Sequence, residues 1–241
     1  MTKECISYYV IKAFFKNISY LVYPNLCLSC LKEAALDDQI FCVKCIYDLP
    51  ESEMHHSLEN QFTDRLIGIE GIETGAAHYL FYEGGPIGEI IHKIKYKGRK
   101  DIALRLGKAY GERLKKSEHY QGIDFLIPVP LHRNRFKKRG FNQSEEICKG
   151  LSESLDVPVL VDNLQRILDT KTQTKLSKTQ RQKNLKGAFK IKNSKELEAK
   201  SVLLVDDVLT TGATIEECSR VLKNIKGLKI SVITLAIRAY Q

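Results

Sequence analysis

The sequence predicts an α/β protein, a parallel sheet flanked by helices, with a small cysteine-bearing unit ahead of it. Three stretches carry that prediction. Val202–Val205 (VLLV) is an apolar run of the kind that forms a strand buried on both faces of a parallel sheet, and a short hydroxyl-rich loop follows two acids directly after it. Asp124–Pro130 (DFLIPVP) is a second such run. Ahead of both, Cys27-x-x-Cys30 and Cys42-x-x-Cys45 mark a separate unit. At 241 residues the chain has room for one α/β domain plus a small appendage, and its core is large enough to need no disulfides.

Composition narrows the class further. Hydrophobic content of 43% is that of an ordinary globular protein rather than a disordered or fibrous one. A formal charge of +9 suits polyanionic partners, either phosphorylated small molecules or nucleic acid, and charge alone does not choose between them. No secretory signal is evident. Ile6–Tyr23 is apolar-rich but carries Lys12, Lys16 and Asn17, and it is shorter than the roughly 20 clean apolar residues a membrane span needs. Tyr9, Ala13, Phe14, Ile18 and Leu21 share one face, so a core-packing or amphipathic helix is expected there and no membrane span. Seven cysteines, four of them clustered, suit a reducing cytoplasm better than a secreted disulfide scaffold.

Taken in order, the first feature with chemistry is the cysteine set. The two CxxC pairs, eleven residues apart, can place four thiolates at tetrahedral vertices about 2.3 Å from a zinc ion. A redox pair would need one CxxC opening a helix inside a βαβ unit, and neither pair has that setting. Cys27, Cys30, Cys42 and Cys45 are therefore expected to hold structural zinc, folding a unit too small for a core of its own. Cys5, Cys148 and Cys218 fall outside the set and are expected to pack. Asp48–Asp64 is polar, with His55 and His56 adjacent; a solvated linker is the expected reading, which puts the domain division at 1–64 and 65–241.

Gly75–Tyr82 (GAAHYLFY) predicts a strand, and Glu83-Gly84-Gly85-Pro86 a turn that delivers the chain into a helix with Pro86 in its first turn. Ile87, Ile90, Ile91 and Ile94 form that helix's buried face. It ends in a basic run, Lys93 to Lys100, that is either a solvated face or an anion-facing one. After the strand at Asp124–Pro130, Leu131–Gln143 (LHRNRFKKRGFNQ) predicts a loop with five cations and no acid: Arg133, Arg135, Lys137, Lys138 and Arg139. Such a loop lies at the carboxyl end of its strand, where ligands bind in parallel α/β sheets. A helix over Ser144–Leu155 follows, with Glu145 and Glu146 near its start, as the helix dipole prefers. Val157–Leu168 predicts further strands. Asp169–Lys186 is a long polar stretch inside a span, Gln165–Lys192, that holds nine basic residues and one acid. Gly187–Ile191 returns to a strand, Glu196–Ala199 is a helical turn, and Leu228–Arg238 closes the sheet.

The carboxyl end of VLLV holds the sharpest chemistry. Thr210-Thr211-Gly212-Ala213-Thr214 leads into a helix whose apolar face is Ile215, Cys218, Leu222 and Ile225. A hydroxyl-and-glycine loop at a helix N-terminus is a phosphate cradle, because backbone N–H groups and the dipole favour an anion there. Asp206 and Asp207 would repel a phosphate, so they must face sugar hydroxyls or a divalent cation. A ligand with both a phosphate and a free diol fits.

An apolar strand, two acids, two residues and Thr-Thr-Gly-x-Thr resembles the phosphoribosyl pyrophosphate (PRPP) motif of type I phosphoribosyltransferases. Together with KYKG at 95–98, PVPLHRNRFKKRGFNQ at 128–143 and the spaced set Leu164, Arg166, Thr172, Gln173, Leu176, Arg181, Asn184, Gly187, Ala188 and Phe189, it is similar to the ComF family. That family is associated with competence for DNA uptake. The resemblance spans nearly the whole chain, although the N-terminal helix and residues 48–64 carry no motif. It implies a type I phosphoribosyltransferase-like fold. Asp206 and Asp207 would hold the ribose 2′- and 3′-hydroxyls, and Thr210, Thr211, Gly212, Ala213 and Thr214 the 5-phosphate. Arg133, Arg135, Lys137, Lys138 and Arg139, with Lys95 and Lys97, would face pyrophosphate. Thr172, Gln173, Arg181 and Asn184 would lie in a flexible loop closing over PRPP, and magnesium would arrive with PRPP.

No element of the sequence describes a pocket for an acceptor, and no catalytic residue is identified. Three functions stay open: a phosphoribosyltransferase, a non-catalytic PRPP-responsive protein, and a factor that grips single-stranded DNA and works with DNA-uptake proteins. Phe136, Phe141 and Tyr96 interleave with cations and could stack on bases; for Phe141 a core position is the better expectation. The oligomeric state is not indicated.

Overall fold

A computed structural model describes residues 26–30, 32–35, 40–168 and 185–239. The chain divides into two compact units at Leu49/Pro50. In the first, Leu26 and Ala34 form an antiparallel bridge, and a six-residue helix, α1 (Val43–Asp48), begins directly after Cys42. The expected helix over Ile6–Tyr23, and Cys5, lie outside the described residues.

The second unit is built on a four-stranded sheet in the order β1 (Thr74–Phe81), β6 (Lys229–Arg238), β5 (Ser201–Leu209), β2 (Phe125–Pro128), every pairing parallel. Parallel sheets are covered on both faces, which is why β5 and β6 are apolar through their middles: Val202–Val205 and Ile230, Val232 and Ile233 are all fully buried. Helices pack on these strands. α3 (Pro86–Tyr96) lies on β1, α4 (Lys100–Leu114) reaches β6, and α6 (Gln143–Leu155) packs on β5 and β2. The isoleucines at 87, 90, 91 and 94 are all buried, as their spacing predicts. α2 (Gln61–Arg65) precedes β1, α5 (Arg133–Arg139) follows β2, and α7 (Ala213–Leu222) joins β5 to β6. A short antiparallel ribbon, β3 (Leu164–Arg166) with β4 (Phe189–Ile191), stands apart from the main sheet. From Val157–Leu168 only β3 becomes a strand; Val159 adds a single parallel bridge to Leu126.

α4 is an element the motif reading does not name, and it fixes α6. A Cβ on Gly150 would stand 1.9 Å from the Leu104 carbonyl oxygen, and one on Gly107 would stand 2.3 Å from that of Ile147. The two helices therefore touch backbone to backbone, a separation that only glycine permits.

Residues 50–64 are not a solvated linker. The Leu80 amide donates to the Pro50 carbonyl at 2.7 Å, the Ser52 amide donates to His78 at 2.9 Å, and Glu51 bridges antiparallel to Tyr79. This segment therefore lies along the outer edge of β1, and the sheet-bearing unit begins at Pro50 rather than at residue 65. Met54 and His55 are buried, and the Asn60 side chain caps α2. The His78 ring stacks on Tyr110 of α4 with centroids 4.6 Å apart, and His55 meets Tyr110 edge-on. The pattern could not announce this, because the apolar partners of His55 are far along the chain. No helix among the described residues is long and apolar enough to cross a membrane.

Candidate functional site

Strand β5 does not stop at its apolar run. It continues through Asp206 and Asp207 to Leu209, with Asp206 in register with Thr234 and Val208 with Ala236. The paired acids are thus held on rigid backbone, not in a loop. Their side chains meet different partners, as successive residues of a strand do. Asp206 Oδ1 accepts from Ser144 Oγ at 3.0 Å and from the Asp207 amide at 2.8 Å, while Asp207 Oδ2 pairs with Lys95 Nζ at 3.0 Å. Burial, then the facing charge of Asp207, pushes the Asp206 carboxyl up to about 7; Asp207's amide, Lys95 and Ser144 pull the other way. The protein stores a partly unfavourable pair of negative charges there, which is what a site for hydroxyl donors or a cation should offer.

Thr210 and Thr211 then turn the chain, and Gly212 takes φ +79°, the left-handed conformation, immediately before α7. No side chain caps α7, so the amides of its first turn stay available to an anion, apart from the one that Glu216 gives to the Gly212 carbonyl at 2.8 Å. Ala213 and Thr214, expected in the loop, already belong to the helix. Arg65 of α2 steadies the turn by donating to the Thr210 carbonyl at 3.4 Å.

The cationic stretch after β2 is a correction. Arg133, Arg135, Lys137, Lys138 and Arg139 form helix α5, not a loop, with His132 capping its start and left-handed Gly140 ending it. Long unbranched side chains favour helix, and no residue of α5 is buried, so no apolar stripe announced it. Its last residue lies against the end of α3 and the start of α6: the Arg139 guanidinium is 5.5 Å from the Tyr96 ring centroid and donates to Gln143 Oε1 at 2.7 Å. Its first residue, Arg133, instead lines a hollow of about 500 Å³ with Asp162 and with Arg166 and Lys190 of the β3–β4 ribbon. Lys95 and Lys97 also part company. Lys95 neutralises Asp207, whereas Lys97 caps α3 and lines a separate hollow beside Gly84, Gly85 and Gly88. Arg99, in the same basic run, pairs with Asp101. Phe141 is buried, while Phe136 and Tyr96 are exposed. Thr172, Gln173, Arg181 and Asn184 lie outside the described residues.

Ser144 is the site residue the sequence concealed. It sits in the first turn of α6, where Asn142 accepts from its amide at 3.2 Å and donates to the Val129 carbonyl at 3.1 Å. The Val129 amide in turn donates to Val205 at 2.8 Å, so the α6 start is laced to the end of β5.

In the first unit, Cys27, Cys30, Cys42 and Cys45 bring their Sγ atoms within 4.8 Å of one another, and those of Cys30 and Cys42 are 4.0 Å apart. Tetrahedral thiolates on a zinc-sized ion sit about 3.8 Å from each other, so the cluster fits such a metal. The amides of Lys32 and Glu33 hold the Cys30 thiol down to about 6, readying it as a thiolate, while burial pushes Cys45 up. A second group of donor atoms, Glu53, His55 and His56, is tied up internally: Glu53 pairs with Arg113 and with His56. Cys148 and Cys218 are buried packing residues.

A model of the phosphoribosyl transferase domain matches residues 142–240, which covers α6, the β3–β4 ribbon, β5, α7 and β6. Competence protein F of Haemophilus influenzae is 35% identical over 164 residues, 66% of this chain and 69% of that protein. The DNA utilization protein YhgH of Escherichia coli K12 is 33% identical over 140 residues, 57% of this chain and 61% of that protein. Competence protein ComFC of Bacillus subtilis is 28% identical over 151 residues, 61% of this chain and 58% of that protein. The chain therefore spans a little over two thirds of the first and under two thirds of the other two.

Proposed function

This chain belongs to the competence protein F (ComF) family, and from that premise we propose that the acids of β5 and the turn before α7 bind PRPP for phosphoribosyl transfer in a DNA-uptake context. The observation that carries the proposal is the pair Asp206–Asp207 on rigid strand, followed at once by a left-handed glycine opening an uncapped helix. Asp206 and Asp207 accept from the ribose 2′- and 3′-hydroxyls. The amides and hydroxyls of Thr210, Thr211, Gly212, Ala213 and Thr214 take the 5-phosphate. Arg139, and through it the cations of α5, face the departing pyrophosphate, where fixed positive charge favours charge that develops as the bond breaks. Arg133, Arg135, Lys137, Lys138, Lys95 and Lys97 belong to the same proposal. Lys95 enters it altered: its partner is Asp207, whose charge it offsets. The family pattern adds Thr172, Gln173, Arg181 and Asn184 as a closing loop. Magnesium, were it carried in by the phosphates of PRPP, would supply positive charge to the leaving group. Cys27, Cys30, Cys42 and Cys45 hold structural zinc, and the site of action is the cytoplasm.

Calorimetry tests the central claim. Wild-type protein titrated with PRPP and magnesium should bind, and the Asp206→Asn, Asp207→Asn double variant should lose most of that affinity while keeping its fold. Unchanged affinity in the variant would remove the diol assignment. A second reading, a PRPP-responsive or single-stranded-DNA-binding factor without turnover, is favoured by one observation: α5 carries five cations together with an exposed Phe136. Backbone grip would show as a steep linear fall of log affinity with log salt, and a shallow slope would remove this reading.

A further inference from the structure

A hollow of about 430 Å³ is formed by the segment that runs from Leu58 through α2 to Thr74, the first residue of β1. Leu58, Leu66, Ile67 and Ile69 give it an apolar lining, and Ile67 is 80% and Leu58 51% exposed. Apolar side chains left that open gain by being covered, and an apolar patch with a polar rim marks a surface for another protein. The rim here has one sign. Glu59, Asp64 and Glu73 line the hollow and no lysine, arginine or histidine does, in a chain whose formal charge is +9.

Helix α5 is the opposite in charge. It carries five cations and no acid, with Phe136, 46% exposed, in its middle. The two features lie at opposite edges of the sheet, whose order is β1-β6-β5-β2: the hollow adjoins β1, and α5 follows β2. Those edge strands are three inter-strand steps, about 14 Å, apart. No residue of α5 lines the hollow of its own chain. We propose that the hollow receives α5 of a second copy of this chain, with the Phe136 ring against Leu58 and Ile67 and the cations facing Glu59, Asp64 and Glu73. Two different patches meet in such a contact, so each pair of copies still has one α5 and one hollow unused. Association then continues head to tail instead of closing at a two-fold dimer. The hollow also backs the turn before α7, since Ile69 Cδ1 and Leu66 Cδ2 come within 3.5 and 3.6 Å of where a Cβ on Gly212 would stand. A docked copy would therefore press on the support of that turn and have its own α5 covered, so assembly would oppose anion binding at α5. The contact itself does not rest on the PRPP reading, and it is tested without ligand.

Sedimentation velocity of the full chain, kept reduced so that no disulfide links copies, reads the assembly over a concentration series up to about 0.5 mM, which reaches affinities in the micromolar to millimolar range. Species larger than a dimer should grow with concentration in the wild type. Ile67→Lys puts a cation into the hollow, and Phe136→Ser removes the ring; both residues are exposed, so the melting midpoint should stay put. Each variant alone should associate at least about tenfold more weakly, as expected of a residue central to a contact. Mixed in equal amounts, the two should form a 1:1 pair and nothing larger, because the intact α5 of one fits the intact hollow of the other and no second contact remains. Charge is tested by exchange and not by salt, since salt screens both the attraction at the contact and the general repulsion between copies of charge +9. Lys137→Glu with Lys138→Glu should weaken growth, and adding Glu59→Lys with Glu73→Lys to the same chain should restore part of it. A wild type that stays monomeric throughout overturns the proposal and leaves the hollow to a different protein. Association that neither Ile67→Lys nor Phe136→Ser weakens overturns it too, as does a mixture that stays monomeric or grows beyond a pair, or a charge exchange that restores nothing.

Discussion

Asparagine in place of Asp206 should make the ligand-free protein more stable while disarming it, and the effect should depend on pH. The native carboxyl titrates near 7, raised by burial and by Asp207 from an ordinary value of 3.8. Between those two values the folded protein holds a proton that the unfolded chain gives up. Stability from this group is therefore fully present below about pH 4 and drains away as pH climbs to about 7. Above that the penalty is constant. A displacement of this size sets a ceiling on the order of 4 kcal/mol. Asparagine gives up the charge assistance in the hydrogen bonds from the Ser144 hydroxyl and the Asp207 amide, so about 1–2 kcal/mol is the expected gain. Asparagine keeps an oxygen for the Ser144 hydroxyl and the Asp207 amide, so the hydrogen bonds at 3.0 and 2.8 Å need not be lost. Thermal melts of wild type and Asp206→Asn at about pH 5 and about pH 8 read the difference, which should appear as roughly 2–8 °C at the higher pH and shrink markedly at the lower. A gap equal at both pH values, or a variant less stable at the higher one, would refute the picture of a strained acid pair. Lys95→Met supplies the mirror image. It leaves both acids uncompensated and should cost about 1–2 kcal/mol at the higher pH, with little effect at the lower.

Other consequences can be measured in parallel. Burial, with Arg113 and His55 adding to it, depresses the His78 imidazole to about 3, and burial depresses His55 to about 4. As pH falls below 6.5 the unfolded chain takes up protons that these rings refuse, and each should cost about 2 kcal/mol between pH 7 and pH 5. Denaturant melts of His78→Phe, which keeps a ring against Tyr110, should show a shallower acid slope, and an unchanged slope would acquit His78. Gly150→Ala drives a Cβ into the Leu104 carbonyl and should destabilise by about 3 kcal/mol or more, read as a shift in urea midpoint. Stripping metal with a chelator, or Cys42→Ser, should open the first unit to protease while the main melting transition stays put; coincident loss of both would mean that the sheet depends on the cysteine cluster.

How much of this was legible in the sequence depended on the range of each signal. The β5 run, its acids and the helix after Gly212 follow one another within two dozen residues, so strand, turn and helix could be placed from neighbours alone. The same holds for the CxxC pairs. Contacts between distant residues were not legible. Ser144 and Asp206 are 62 residues apart, and nothing in the pattern singles out one serine near a helix start. Lys95 and Lys97 looked equivalent in the run, but two residues along a helix is more than half a turn, and only one can face Asp207. α5 has no apolar side to betray a helix. The segment around His55 reads as polar because its burial comes from β1 and α4, not from its own composition.

The strap formed by Pro50–Ser52 also guards against a hazard. β1 pairs with β6 on one side only, and on the other its free amides and carbonyls are met by Pro50, Ser52 and Glu51. A strand left bare in that way is a template for any other extended chain, including another copy of itself. A shortened protein beginning at residue 65 would keep every proposed PRPP ligand and still present an open, adhesive border. It would tend toward aggregates whose cause lies at the far edge of the sheet, well away from the chemistry.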